Sequence, residues 1–208
     1  SILINKGLIA LNVISASIAF GLGSMTEFPD AANYIALAEN LLNGNFSSNC
    51  NSQSCLPDSV RTPGYPFILS LFFMFSQNLF LMKLIQLLFY FITLWLGYKI
   101  VIKIAKHNTI VCNIFLIFTA VNIQIPYYAG TISTETFTAF FVTLFFYNLY
   151  VSEKRSFFQD ALVSSVILAI LYYLRPGFLL FPFILLGLSF FKNLKLDPRQ
   201  LLMQILLF

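Results

Sequence analysis

Charge is the scarcest property of this sequence. Twelve basic and eight acidic residues make up 10% of its 208 positions, against roughly 25% in a soluble globular domain. So few charges could not cover a surface that water would solvate, and a water-soluble domain is excluded. Histidine occurs once and cysteine three times, with no His/Cys cluster at transition-metal spacing. The twelve Lys and Arg form no stripe that would track phosphates along a nucleic acid. No internal repeat recurs at a fixed period, which weighs against the transporter folds built from repeats.

What is abundant is apolar bulk: 59% of the chain is hydrophobic, with 25 Phe and 10 Tyr, and the mean hydropathy is +0.83. A helix of about 20 apolar residues crosses roughly 30 Å of hydrocarbon. Apolar stretches run over 7–25, 79–102, 110–128, 137–151, 157–174 and 176–191, and another begins at Leu201. Each reads as helix, because lipid offers no partner to backbone N–H and C=O groups. The expectation is an all-α, polytopic membrane helical bundle forming one module over 1–208. The first stretch lacks a clear cleavage site and is followed by further spans, so it reads as a retained helix rather than a signal peptide. Starting at Ser1 and stopping at Phe208 inside an apolar run, the chain reads as a fragment whose C-terminal part is missing.

Orientation follows from Lys and Arg in short loops. With a cytoplasmic N-terminus, nine of the twelve basic residues fall inside: Lys6, Lys99, Lys103, Lys106, Lys154, Arg155, Lys192, Lys195 and Arg199. Lys83 then lies near the outer end of the second span, where its stem can snorkel. Arg61 and Arg175 remain on the outer side. The assignment requires the apolar run 66–75, too short to span, to lie at the interface or re-enter; if it crosses, everything after it flips.

The outer loop, 24–78, carries the longest polar stretch. Within it 30–43 reads as a juxtamembrane amphipathic helix, with Ala31, Tyr34, Ile35, Ala38, Leu41 and Leu42 at helical spacing. Pro29 and Asp30 form a start signal and Gly44 a stop. The segment 45–58 is an Asn- and Ser-rich loop with one sequon at Asn45. Cys50 and Cys55 share this loop and are able to bridge if it faces an oxidising compartment, whereas Cys112 reads as core.

Glu27, Asp30, Glu39, Asp58 and Glu135 join Arg61 and Arg175 on the outer face. Charges pressed against a membrane outside the orienting loops are functional candidates by default, and Asp30, Glu135 and Arg175 sit at helix ends that face one outer cavity. Each has a plainer alternative. Asp30 suits an N-cap, and Glu135 a helix-start carboxylate favoured by the macrodipole, with Ser133 or Thr134 as the cap. Arg175 suits an interface anchor at a Pro-Gly turn. Asp160 is expected to pair with Lys154 or Arg155, and His107 to be solvated.

Asp30-x3-Tyr34-x3-Ala38-x2-Leu41-x2-Gly44, followed by Arg61-Thr62-Pro63-Gly64-Tyr65-Pro66, resembles the opening of GT-C glycosyltransferases. It is most similar to the bacterial branch related to protein O-mannosyltransferases and aminoarabinose transferases. Ser133-Thr134-Glu135-Thr136 and Leu174-Arg175-Pro176 extend the match. The resemblance implies transfer of a sugar from a polyprenyl-phosphate donor to a protein, lipid or glycan acceptor on the periplasmic or lumenal side, with inversion. It implies Asp30 as the catalytic carboxylate and Arg61 as a contact to the donor phosphate, a role that Arg175 also suits. Glu135, with Tyr34 and Tyr65, would shape the site or hold a cation, so a divalent cation bound at Asp30 and Glu135 is an open expectation. Relatives often carry a second acid beside the first or Lys-Pro-Pro in place of Arg-Thr-Pro-Gly, which leaves the acceptor open. A polytopic transporter and a non-catalytic membrane scaffold are the competing readings.

Overall fold

The computed structural model describes residues 5–26, 28–51, 54–151 and 157–189. Its helices are α1 (Lys6–Ser24), α2 (Ala31–Leu42), α3 (Gly64–Phe73), α4 (Leu79–Ile104), α5 (Thr109–Val121), α6 (Gln124–Ala129), α7 (Glu135–Tyr150), α8 (Phe157–Leu174) and α9 (Phe181–Ser189), with a 3-10 turn over Pro176–Leu180 before the last. Two residues on each side, Cys50–Asn51 and Ser54–Cys55, form a minimal antiparallel ladder. The class is all-α, as expected. The ladder sets the backbones of Cys50 and Cys55 opposite each other, while their side chains, and so the question of a bridge, lie outside what is described.

Asparagine starts three of the helices. Asn5 accepts from the Gly7 N–H, Asn78 from Phe80, and Asn108 from Ile110 and Val111, each satisfying a donor that a helix start leaves orphaned. Between α4 and α5, Lys106 and His107 adopt positive φ and the His107 N–H closes on Ile102 O at 3.0 Å. This C-terminal motif turns the chain tightly and leaves His107 exposed, as its polar loop implies.

The helices run alternately between two poles. Lys83 of α4 donates from Nζ to the last carbonyl of α1, Ser24 O, at 3.0 Å, so the start of α4 lies beside the end of α1. Asn12 donates to Leu116 O and Ser15 to Ala120 O, which sets α5 parallel to α1. At one pole lie Ser24, the start of α4 and the end of α8; at the other lie Lys6, Lys99, Lys103 and Lys106. The central core joins α2, α3, α4, α7 and α8 through Ala38, Tyr65, Leu69, Met82, Phe137 and Leu174. A second cluster around Phe145, Leu168 and Leu171 holds α7 to α8.

Among the described residues two helices, α1 and α4, are by themselves long and apolar enough to cross a membrane. The stretch 110–128, read from sequence as one span, is instead α5 and α6. Asn122 is extended, with ψ 89°, and its side chain accepts from the Gln124 N–H at 3.2 Å, so it ends one helix and starts the next. The stretch 176–191 likewise opens as a 3-10 turn, because Pro176 holds Arg175 in an extended conformation with φ −149° and ψ 118°. The ten residues of α3 reach only about 15 Å, half of the hydrocarbon thickness. The stretch from Leu201, Glu27, and the proposed partners Lys154 and Arg155 of Asp160 lie outside the described residues.

Three glycines set how closely the helices approach. A methyl group on Gly23 would meet Tyr127 O at 2.0 Å, one on Gly130 would meet Phe20 O at 2.4 Å, and one on Gly64 would meet Tyr173 O at 2.5 Å. The first two let α1 lie backbone to backbone on α6, a contact that only small residues permit. The third butts the start of α3 against the end of α8. Gly23→Ala is therefore expected to destabilise the fold by about 1–3 kcal/mol through overpacking. Gly21→Ala, where an added methyl has nothing within 4 Å, should leave it unchanged or slightly improved. Thermal unfolding of the two variants in one detergent checks the contrast.

Candidate functional site

Four of the charges left over from orientation meet at the pole away from Lys6, Lys99, Lys103 and Lys106. Asp30 stands at the N-cap position of α2, yet its side chain makes no capping hydrogen bond. It accepts instead from Arg61 Nη2 at 2.6 Å, so the capping alternative fails. Arg61 itself is held by the turn before it. Asp58 Oδ1 accepts from the Val60 and Arg61 N–H groups at 2.8 and 3.0 Å, and Oδ2 from Ser48 Oγ at 3.0 Å. Partial burial acts to raise the Asp58 carboxyl, but those backbone donors, Ser48 and the charge of Arg61 outweigh it, and its pKa is lowered.

The second pair repeats the arrangement. Thr134 occupies the N-cap position of α7 without a capping bond; its Oγ1 accepts from Arg175 Nε at 3.2 Å, and Glu135, the first helical residue, pairs with Arg175 Nη2. Thr62 Oγ1 donates to Leu174 O at 2.9 Å, which binds the segment bearing Arg61 to the end of α8, next to Arg175. Gly64 makes that approach possible.

Asp30, Arg61, Glu135 and Arg175 thus line one cleft of about 330 Å³, together with Tyr34 and the Thr62 and Thr134 hydroxyls. Arg61 lies 5.9 Å from the Tyr34 ring centre, within cation–π range. Desolvation raises the Tyr34 hydroxyl, and the charges of Asp30 and Glu135 add to the rise against the two arginines. One phenol therefore senses all four charges. Arg61 is likewise held above its ordinary value, chiefly by its hydrogen bond to Asp30.

Of the residues to which the resemblance gives a role in the site, Tyr65 alone does not reach the cleft. It is fully buried beneath it, edge-on to Tyr34 at 5.1 Å. Its hydroxyl donates to Gln86 Oε1 at 3.1 Å, and Gln86 Nε2 donates to Ala129 O at 3.2 Å and Thr131 O at 2.7 Å. Gln86, which the sequence reading passed over, fixes both the helix that follows Arg61 and the turn that leads to Glu135. A single amide inside the apolar run of α4 was the available signal.

The donor set does not suit a metal ion. Each carboxylate is bonded to a guanidinium, and among the described residues no three His, Cys, Asp or Glu side chains cluster. The arrangement suits an anion instead: two planar forks of donors, a phenol and two hydroxyls converge on a half-open cleft. Compared with known proteins, the chain matches no family model, no curated protein and no solved structure.

Replacing Gln86 by Leu would leave Ala129 O and Thr131 O without their donor in a buried place, at about 1–3 kcal/mol for each group left unsatisfied. Tyr65→Phe removes one hydrogen bond and is expected to cost about 0.5–1.5 kcal/mol. A clearly larger loss of unfolding temperature for Gln86→Leu than for Tyr65→Phe checks this ranking.

Proposed function

We propose that this chain is the membrane-embedded module of a glycosyltransferase that takes a sugar from a polyprenyl-phosphate carrier and passes it to an acceptor at the outer face. The observation that carries the reading is the convergence of two arginines and two carboxylates on one cleft, at the pole opposite Lys6, Lys99, Lys103 and Lys106. The motifs around Asp30, Arg61, Glu135 and Arg175, which resemble those of the GT-C enzymes, point the same way.

The helix lengths are compatible with it. Besides α1 and α4, the 16 residues of α7 and the 18 of α8 reach about 24 and 27 Å, and α5 with α6 makes a further, broken span. By the positive-inside rule the lysine pole is cytoplasmic, which puts the cleft at the periplasmic or lumenal interface. There a prenyl tail stays in lipid while its phosphate reaches the arginines. An almost wholly apolar groove of about 480 Å³, lined by Leu41, Pro63, Phe67, Ile170 and Tyr173, shares Leu174 with the charged cleft and suits that tail.

In the transfer, the acceptor oxygen forms a bond to the anomeric carbon as the bond from that carbon to the phosphate oxygen breaks. The phosphate leaves with the electron pair, and Arg61 and Arg175 stabilise the growing charge. Asp30 takes the acceptor proton, a role in which position counts for more than basicity. Attack opposite the leaving group inverts the anomeric centre.

The ion pairs give this sequence an order. Asp30 and Arg175 are about half exposed, and pairs so placed contribute only about 0.2–1 kcal/mol, whereas charge-assisted bonds to phosphate are stronger. An arriving phosphate draws Arg61 away and frees Asp30 for the proton. The transporter reading has one feature in its favour, the break between α5 and α6, since discontinuous helices mark transporters. Among the described residues the four charges of the cleft stand at a pole and not at the mid-depth that goes with such helices.

Asp30→Asn in the intact protein is expected to abolish sugar transfer without changing expression or membrane insertion. It should also bind polyprenyl monophosphate about two- to fivefold more tightly, because a competitor for Arg61 is gone. Undiminished transfer would remove Asp30 from the chemistry. Unaltered consumption of lipid-linked sugars in a strain lacking the protein would remove the class.

A further inference from the structure

A second amphiphilic feature lies at the lysine pole, on the far side of the bundle from the charged cleft. There the first half of α1 and the last half of α4 flank a groove of about 360 Å³ whose walls include Ile9 and Val13 on one side and Phe91, Trp95 and Ile102 on the other, with Leu116 of α5 as its floor. The groove exists because α5, not α4, holds this half of α1: Asn12 and Ser15 bond to α5 carbonyls. Phe115 of α5 packs against Gly97 of α4. The two walls therefore stand apart, bridged only from below.

Its polarity runs along its length. Asn12 spends its amide within the protein, donating to Leu8 O and Leu116 O and accepting from Thr119, so the interior presents hydrocarbon. At the rim Lys99 Nζ lies 5.7 Å from the centre of the Trp95 ring, with Tyr98 beside it. Trp95 is half exposed, and its ring lies near that of Tyr147 of α7 at 6.4 Å. Lys103 and Lys106 follow on the same pole. The one described carboxylate there, Asp160, opens α8, which packs on α7. From Phe91 to the rim at Lys99 the wall is about 12 Å long at the helical rise, most of the depth of a single leaflet of a roughly 30 Å hydrocarbon core.

We infer that this groove binds one anionic glycerophospholipid of the cytoplasmic leaflet, an acyl chain lying between α1 and α4 and the phosphate held by Lys99 at the aromatic rim. An apolar depth of most of one leaflet, a Trp and Tyr at headgroup level, and a pole whose charge is positive select an anionic amphiphile over a zwitterionic one. The inference rests on the membrane placement proposed above and is independent of sugar transfer.

Trp95 is the only tryptophan of the sequence and lies in the groove, so its emission reports occupancy directly. The intact protein is reconstituted in phosphatidylcholine vesicles containing a minor fraction of either phosphatidylglycerol or phosphatidylcholine with brominated chains. Trp95→Phe supplies the background. Brominated phosphatidylglycerol is expected to quench Trp95 at several-fold lower mole fraction than brominated phosphatidylcholine. Lys99→Gln should reduce that preference about fivefold, the effect of one Lys at an anionic surface, and Lys106→Gln should leave most of it. Equal quenching by the two lipids overturns the inference. So does a preference that survives Lys99→Gln or falls as far with Lys106→Gln, since both mean diffuse attraction. A protein that does not enter the vesicles contradicts the membrane placement and this site with it.

Discussion

The buried amide of Gln86 is the constraint on which the candidate site depends. One side chain, fully enclosed, accepts from Tyr65 of α3 and donates to the last carbonyl of α6 and to Thr131 O in the turn that follows it. Placed in an apolar interior, each of those groups would be costly to leave unpaired. The three segments are therefore fixed relative to one another, and Arg61 and Glu135 are fixed with them. The close approach of Gly64 to Tyr173 adds α8, and with it Arg175. An apolar scaffold with few directional contacts thus places four charges by means of one amide and one missing methyl.

The charges are placed so that their pairing is weak. Neither ion pair is shut away from water, so each guanidinium can exchange a carboxylate for a better anion at small cost. A pair sealed in the core would resist that exchange, because separating it would leave an uncompensated buried charge. Partial exposure at a pole leaves the same four groups open to an arriving anion, with Tyr34 in the field of all of them.

Much of this was legible in the sequence, and the physical reason is the scarcity of charge. With lysines assigned to one pole by topology, the residues left over were few enough to name, and Asp30, Arg61, Glu135 and Arg175 do share a cleft. The helix over 30–43 was readable because its polar and apolar positions alternate at helical spacing. The break at Asn122 was not, since an Asn inside an apolar run reads equally as a polar position on a continuous helix, and only its dihedral angles and its bond to Gln124 distinguish the two. Asp30 and Thr134 misled in a different way. Both occupy N-cap positions that their residue types favour, yet each has its side chain drawn to an arginine distant in sequence. Local preference named the position, and tertiary charge decided what the side chain does there. Gln86 was hidden by its surroundings, because the two carbonyls it donates to lie more than 40 residues away.

The central claim is that Arg61 and Arg175 form one receptor for a lipid-linked phosphate. The phosphorus resonance of a polyprenyl monophosphate, titrated with the intact protein in micelles, reports that contact directly. The account predicts a shift saturating with wild-type protein, weakened in Arg61→Gln and in Arg175→Gln and lost when both are replaced. A phosphorus resonance that shifts equally with the double variant would contradict it.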